Sequence, residues 1–102
     1  MLNLLRLRAV ADYRDHPELA PEAPISGQQA YDLYAANTLP FLTASGGEVL
    51  FDGTGGDFLI GPAAERWDRV VIVRQRSVAD FMAFADNEAY LAGLGHRAAA
   101  LE

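Results

Sequence analysis

Residues 68–85 read DRVVIVRQRSVADFMAFA, and the fold turns on how this stretch divides. Val70, Val71, Ile72 and Val73 are four consecutive β-branched residues, the strongest strand signal in the chain, and they predict a strand over Asp68 to Arg76. Ser77 then supplies a helix cap, Asp80 follows three residues later, and Val78, Phe81, Met82 and Ala85 recur at the i, i+3, i+4 and i+7 spacing of a helical stripe. A strand running through a cap into a helix is therefore the unit around which the rest is arranged. Both faces of the strand are apolar: Val71 and Val73 lie on one side, Val70 and Ile72 on the other.

Working toward the N-terminus, Glu48 to Ile60 holds two strand-like pieces, Val49-Leu50-Phe51 and Phe58-Leu59-Ile60. Gly53-Thr54-Gly55-Gly56 separates them, which fits either a tight turn or one bulged strand. Before it, Ser26 and Gln29 form a capping-box pair. Ala30, Tyr34 and Phe41, with Tyr31 and Leu42 beside them, make the apolar stripe of a helix that Gly46-Gly47 would end. Pro40 lies inside this pattern and is expected to kink the helix near Asn37 or to divide it. Residues 12–26 carry Pro17, Pro21 and Pro24 among acidic residues and read as an irregular surface loop. Residues 2–13 alternate, with Leu5, Leu7, Ala9 and Ala11 on one set, which predicts a first strand. Beyond the central unit, Asp86-Asn87 interrupts the helix and can cap a final helical segment with Tyr90, Leu91 and Leu94.

Strand, helix, strand or hairpin, strand, helix is most of a split β-α-β pattern. It predicts one α+β, ferredoxin-like domain over residues 1–102, an antiparallel sheet with its helices on one face. A sheet covered on only one side should alternate apolar and polar residues. The two-sided strand at Val70 to Val73, with Leu4 and Val10 opposite Leu5 and Leu7, therefore predicts a second copy of the chain as cover. Each such side chain left in water forgoes about 1.5–3 kcal/mol of burial.

Composition limits the function classes. The 102 residues are 51% hydrophobic and 22% charged, ordinary for a folded domain. The formal charge of -6 argues against nucleic acid and anionic membranes as partners. The absence of cysteine excludes disulfides, thiolate catalysis and Cys-ligated metals. Arg6 and Arg8 break the opening apolar run before it is long enough for a signal or membrane segment, so a cytoplasmic protein is expected.

Several residues together resemble a known family. They are Tyr34, Pro40, Gly46-Gly47-Glu48-Val49-Leu50, Trp67-Asp68, Ser77, Phe81, Asn87, Tyr90, His96-Arg97 and Ala100-Leu101. Over roughly residues 28–101 they resemble the domain-of-unknown-function family numbered 1330. The resemblance implies pairing as a dimeric α/β barrel, in a superfamily that includes cofactor-free monooxygenases and small lyase-like or dehydratase-like proteins. Two departures stand out. Arg74-Gln75-Arg76 replaces an acidic residue and Phe-Pro pair often found there, and the family's last strand would follow where the chain reaches Glu102.

The candidate chemistry is sparse. The glycines at 53–56 precede a strand-like piece, not a helix, so a turn or bulge explains them better than a phosphate cradle. His16 and His96 lack the spacing of a metal site, and no cofactor is expected. His96 is the candidate catalytic base, against the plainer reading of a helix-end histidine. Arg6, Arg8, Arg74 and Arg76 project from strands, either to clamp an anion or to pair with Glu48, Asp52 or Asp57. Tyr31, Tyr34 and Trp67, with Phe51, are placed to line an apolar pocket between helix and sheet, and Arg74 and Tyr90 complete the candidate ligand set. Three functions follow as expectations: a homodimer binding a small organic molecule, a cofactor-independent monooxygenase or isomerase using His96, and a structural or regulatory dimer without ligand.

Overall fold

The computed structural model describes residues 2–54 and 67–102. Among them the strands are β1 (Leu2–Leu5), β2 (Glu48–Thr54) and β3 (Arg69–Arg74), and the helices are α1 (Gly27–Ala44), α2 (Val78–Ala85), α3 (Glu88–Ala92) and α4 (Leu94–Ala100). The three strands form an antiparallel sheet in the order β1-β3-β2, so the valine-rich strand is the central one. The expected mixed α+β architecture is present. The strand-like piece at 58–60, the turn residues 55–56, Asp57 and Gly61-Pro62 lie outside the described residues.

Register assigns the two faces of β3. Asn3 opposes Val71 and Leu5 opposes Arg69. Leu5 and Val71 pack with Ala30, Tyr31 and Ala100 in the core between sheet and helices. Leu2 opposes Ile72 and Leu4 opposes Val70 on the face turned away from the helices. On the other flank a bulge at Leu50 shifts the pairing, so that Val49 meets Val73 while Phe51 meets Ile72. An extra residue in one strand reverses the side chains that follow it. Here it keeps Val49 on the helix face and puts Phe51 beside Ile72.

β1 is shorter than the alternation over 2–13 predicts, for a reason the sequence conceals. The Leu5 carbonyl accepts from the Asp68 N–H at 2.8 Å, and the Asp68 carboxylate accepts from the Leu7 N–H at 2.8 Å. A side chain thus takes the place of the next strand partner. The following backbone groups turn to other elements: Arg8 N–H donates to the Ala100 carbonyl at 2.8 Å, and the Arg8 carbonyl accepts from Gly27 at 2.9 Å. Leu7 forms an isolated antiparallel bridge with Leu101, and Glu102 N–H donates to the Arg6 carbonyl at 3.1 Å. Residues 101–102 therefore pair with Arg6 and Leu7, just beyond the end of β1.

α1 begins as its capping box predicts. The Ser26 hydroxyl accepts from Gln29 N–H at 3.0 Å, and the Gln29 side chain accepts from Ser26 N–H at 2.9 Å. The helix continues through Pro40 without division to Ala44. Gly46, at φ 85°, ends it in the left-handed conformation that glycine adopts without steric cost. Gly47 N–H donates back to the Leu42 carbonyl at 3.0 Å. Ser77 caps α2 and Asn87 caps α3, as expected.

The apolar face of α2 differs from the expected stripe. Val78 and Met82 are 80% and 54% exposed, whereas Phe84 is buried. Phe81 and Phe84 are also spaced i, i+3, and the larger aromatic pair takes the inner face. No helix among the described residues is long and apolar enough to cross a membrane.

Candidate functional site

A cavity of about 250 Å³ lies between α1, the helix face of the sheet, and the α2 to α4 segment. α1 contributes Tyr31, Tyr34, Ala35, Thr38, Leu39 and Leu42, which share one side of a 3.6-residue helix. The sheet contributes Asn3, Val49, Asp52, Val71 and Val73, and Gln75 follows from the end of β3. Phe81, Phe84, Tyr90 and Arg97 close the third side. The lining is chiefly apolar with a few polar groups, the usual composition of a small-ligand site.

Aromatic contacts fix the tyrosines. Tyr34 packs against Tyr31 with ring centroids 5.4 Å apart, and Tyr90 against Phe84 at 4.4 Å. The Tyr34 and Tyr90 hydroxyls share a hydrogen bond of 3.0 Å. One of the two O–H groups is the donor in that bond, so the other stays available to a further acceptor. Burial raises the Tyr90 phenol well above its ordinary value, with the bond to Tyr34 adding to the effect, and burial likewise raises Tyr31. The Tyr31 and Tyr90 phenols are therefore protonated at neutral pH.

The charges around the cavity are unevenly matched. Asp52 is held by Arg69 through two contacts of 2.8 and 2.7 Å, and Arg69 also reaches Asp32 at 2.7 Å. Hydrogen bonds donated to Asp52 and then to Asp32, outweighing partial burial, raise the Arg69 guanidinium above its ordinary value. It lies 4.7 Å over the Tyr31 ring, so the Asp52 carboxylate is paired at the cavity wall with a guanidinium that it shares with Asp32. Arg97 is different: it is partly buried, it lines the cavity, and it has no acidic partner among the described residues. Its positive charge acts on both Tyr31 and Tyr90, favouring their ionised forms. The Gln75 side-chain oxygen is buried without a hydrogen-bond partner.

Of the residues singled out in the sequence, Tyr31, Tyr34 and Tyr90 come together here. Trp67 and Arg74 are elsewhere. Trp67 lies under the Arg6 guanidinium, 5.0 Å from its ring centroid, and Arg74 pairs with Glu48. His96 faces a second, more open hollow with Leu19, Asn37, Pro40 and Phe41. It is 9% exposed. In the tautomer with its proton on Nε2, its Nδ1 accepts from the Tyr13 hydroxyl at 2.7 Å. Burial lowers its pKa, so the neutral ring is favoured. Adjacent positions on a helix point about 100° apart, which is why His96 and Arg97 serve different spaces. That offset is the signal by which Arg97 could have been separated from His96 in the sequence. Thr38 was accessible in the same way, seven residues after Tyr31.

Residues 22–102 match the family described as Domain of unknown function (DUF1330). The chain belongs to this family. Two similar crystal structures bear out the fold of this DUF1330 protein. One is the methylated RPA0582 protein, at 37% identity and TM-score 0.83, covering 99% of this chain and 70% of that one. The other is the RPA0582 protein of unknown function from Rhodopseudomonas palustris, at 37% identity and TM-score 0.82, covering 99% of this chain and 72% of that one. No curated protein matches the sequence. Among the described residues no group of three or more His, Cys, Asp or Glu is placed to hold a metal.

Proposed function

We propose that this DUF1330 protein binds a small organic molecule in the cavity between α1 and the sheet, as a cytoplasmic homodimer. The observation that carries the binding reading is the cavity itself, a chiefly apolar space with a few polar groups, among them Arg97 and the Tyr34 and Tyr90 hydroxyls, in its wall. At about 250 Å³ the space sits at the lower edge of ordinary ligand pockets, roughly 300–1,000 Å³, so the molecule is small. Tyr31, Tyr34 and Tyr90 form its wall. His96, turned toward Tyr13, acts as an anchor for the loop before α1 rather than as a base in this cavity.

Self-pairing is supported by the sheet face away from the helices, where Leu2 is 59% exposed beside Ile72, and by what the family resemblance implies. Val70, by contrast, is fully buried within the single chain. The Phe51 ring lies over Gly53, where a Cβ would meet it at 2.9 Å, and Gly53 is the register partner of Val70. The cover that the two-sided strand calls for is thus partly supplied by the chain itself. A cytoplasmic setting is supported by the lack of cysteine.

The test is a small-molecule thermal-shift screen run in parallel on the native protein and Ala35→Leu, which extends a side chain into the cavity from α1. Compounds that stabilise the native protein and lose their effect on the variant support the reading. A set of hits indifferent to Ala35→Leu rejects it.

A further inference from the structure

We propose that the cavity's ligand is a small apolar carboxylate whose acid group is held by Arg97, with the free O–H of the Tyr34 and Tyr90 pair as a further donor. This rests on the binding reading above and specifies its ligand class. Three observations converge. First, the described residues put two charged groups in the lining, Asp52 and Arg97; Asp52 is paired with Arg69, which it shares with Asp32, whereas Arg97 has no acidic partner among the described residues. Arg97 therefore presents an unpaired positive charge to the space. A partly buried guanidinium beside apolar walls interacts with an anion at a lower effective dielectric than on an open surface, so a matching charge is strongly selected.

Second, Arg97 and the tyrosine pair supply donors. Arg97 offers a planar fork of N–H groups that suits the two oxygens of a carboxylate. The Tyr34 and Tyr90 hydroxyls, 3.0 Å apart, supply one more donor. Burial keeps Tyr31 and Tyr90 protonated, so neither phenol becomes the counter-ion of Arg97 at neutral pH. Third, most of the remaining lining is hydrocarbon and aromatic, as at Ala35, Leu39, Val71, Val73, Phe81 and Phe84, with Asn3, Thr38 and Gln75 as its uncharged polar residues. A cation in a wall that is otherwise chiefly apolar fits an acid with a short aromatic or aliphatic body. A sugar phosphate or an amino acid would leave polar groups against those walls, at a cost of about 1–3 kcal/mol for each unpaired group.

The experiment compares charged and neutral isosteres by calorimetry on the native protein: benzoate against benzamide, and hexanoate against hexanamide. The expected result is that each acid binds at least tenfold more tightly than its amide, that Arg97→Gln abolishes the difference, and that Arg97→Lys retains part of it. Circular dichroism establishes that each variant is folded, and the acid-to-amide ratio on the native protein stands without any variant. Amides that bind as tightly as acids overturn the carboxylate assignment and leave cavity binding intact. An acid preference that survives Arg97→Gln removes Arg97 from the role. If no acid or amide binds and the thermal-shift hits are indifferent to Ala35→Leu, the binding reading itself fails.

Discussion

The Tyr13 hydroxyl and the His96 Nδ1 are 2.7 Å apart, with their rings edge-on at 5.6 Å, and this contact joins the proline-rich loop to α4. Backbone bonds flank it: Asp12 N–H donates to the Ala99 carbonyl and Ala11 N–H to the Ile25 carbonyl, both at 2.9 Å. Tyr13→Phe keeps the ring and leaves the buried Nδ1 without its donor, at a cost of about 1–2 kcal/mol. For a domain of this size that lowers the melting temperature by about 4–8 °C per kcal/mol. Unchanged melting, with unchanged amide exchange across residues 11–25, would show that the contact does not hold the loop.

The same histidine sets a pH dependence. Burial lowers its folded pKa below the ordinary value of 6.5, so the unfolded chain takes up the proton first. Its contribution to stability is complete above about 6.5 and declines as the pH falls through that value toward the folded pKa. Asp12 and Asp80 run in another window. Hydrogen bonds from Arg14 and Arg76 hold them at about 2 against an ordinary 3.8, so what they contribute is present above 3.8 and lost only as the pH falls through about 2. Melting temperatures measured from pH 7 to about 5 are therefore expected to fall in the native protein and to change less in His96→Gln. Parallel curves for the two proteins would remove His96 as the source.

How much of this was legible depended on whether the signal was local. Ser26 with Gln29, Ser77, Asn87 and Gly46 each act within one turn of chain, and each stands where its chemistry predicts. The length of β1 was hidden because Asp68, more than sixty residues away, takes the Leu7 N–H. The inner face of α2 was ambiguous because Phe81 with Met82 and Phe81 with Phe84 both satisfy helical spacing, and only packing chooses. In the site, Tyr31 and Tyr34 were found from their stripe on α1. Arg97 was masked by its neighbour His96, whose chemistry draws attention first, and the pairing of Asp52 with Arg69 that leaves Arg97 unmatched is a tertiary fact.

The start of α1 gives a prediction that does not depend on any ligand. Ser26→Ala removes the acceptor for Gln29 N–H and ends the reciprocal bond pattern. A lost cap of this kind costs about 1 kcal/mol. The neighbouring Gly27 packs so closely against the Arg8 backbone that a Cβ there would lie 2.2 Å from the Arg8 oxygen, so fraying of the first turn also loosens the chain after β1. Chemical denaturation is expected to show a lower midpoint with unchanged slope. An unaltered midpoint would mean that packing at Gly27 and Ala30 alone sets the start of the helix.

The outer face of the sheet provides the test of self-pairing. Leu2 is at the edge of the described sheet and 59% exposed, while its register partner Ile72 is partly buried in the central strand. Charge at Ile72 risks unfolding the chain and would prove little, whereas Leu2→Asp leaves the core cluster of Leu5, Tyr31 and Val71 untouched. If two sheets meet through this face, two-fold symmetry places the substitution at the interface twice. Each copy loses about 1.5–3 kcal/mol of burial and adds a carboxylate to desolvate. The native protein is then expected to have a dimer mass in light scattering at micromolar concentration, and Leu2→Asp a monomer mass with its circular dichroism intact. A native monomer would contradict self-pairing altogether. A dimer indifferent to Leu2→Asp would move the interface to another surface.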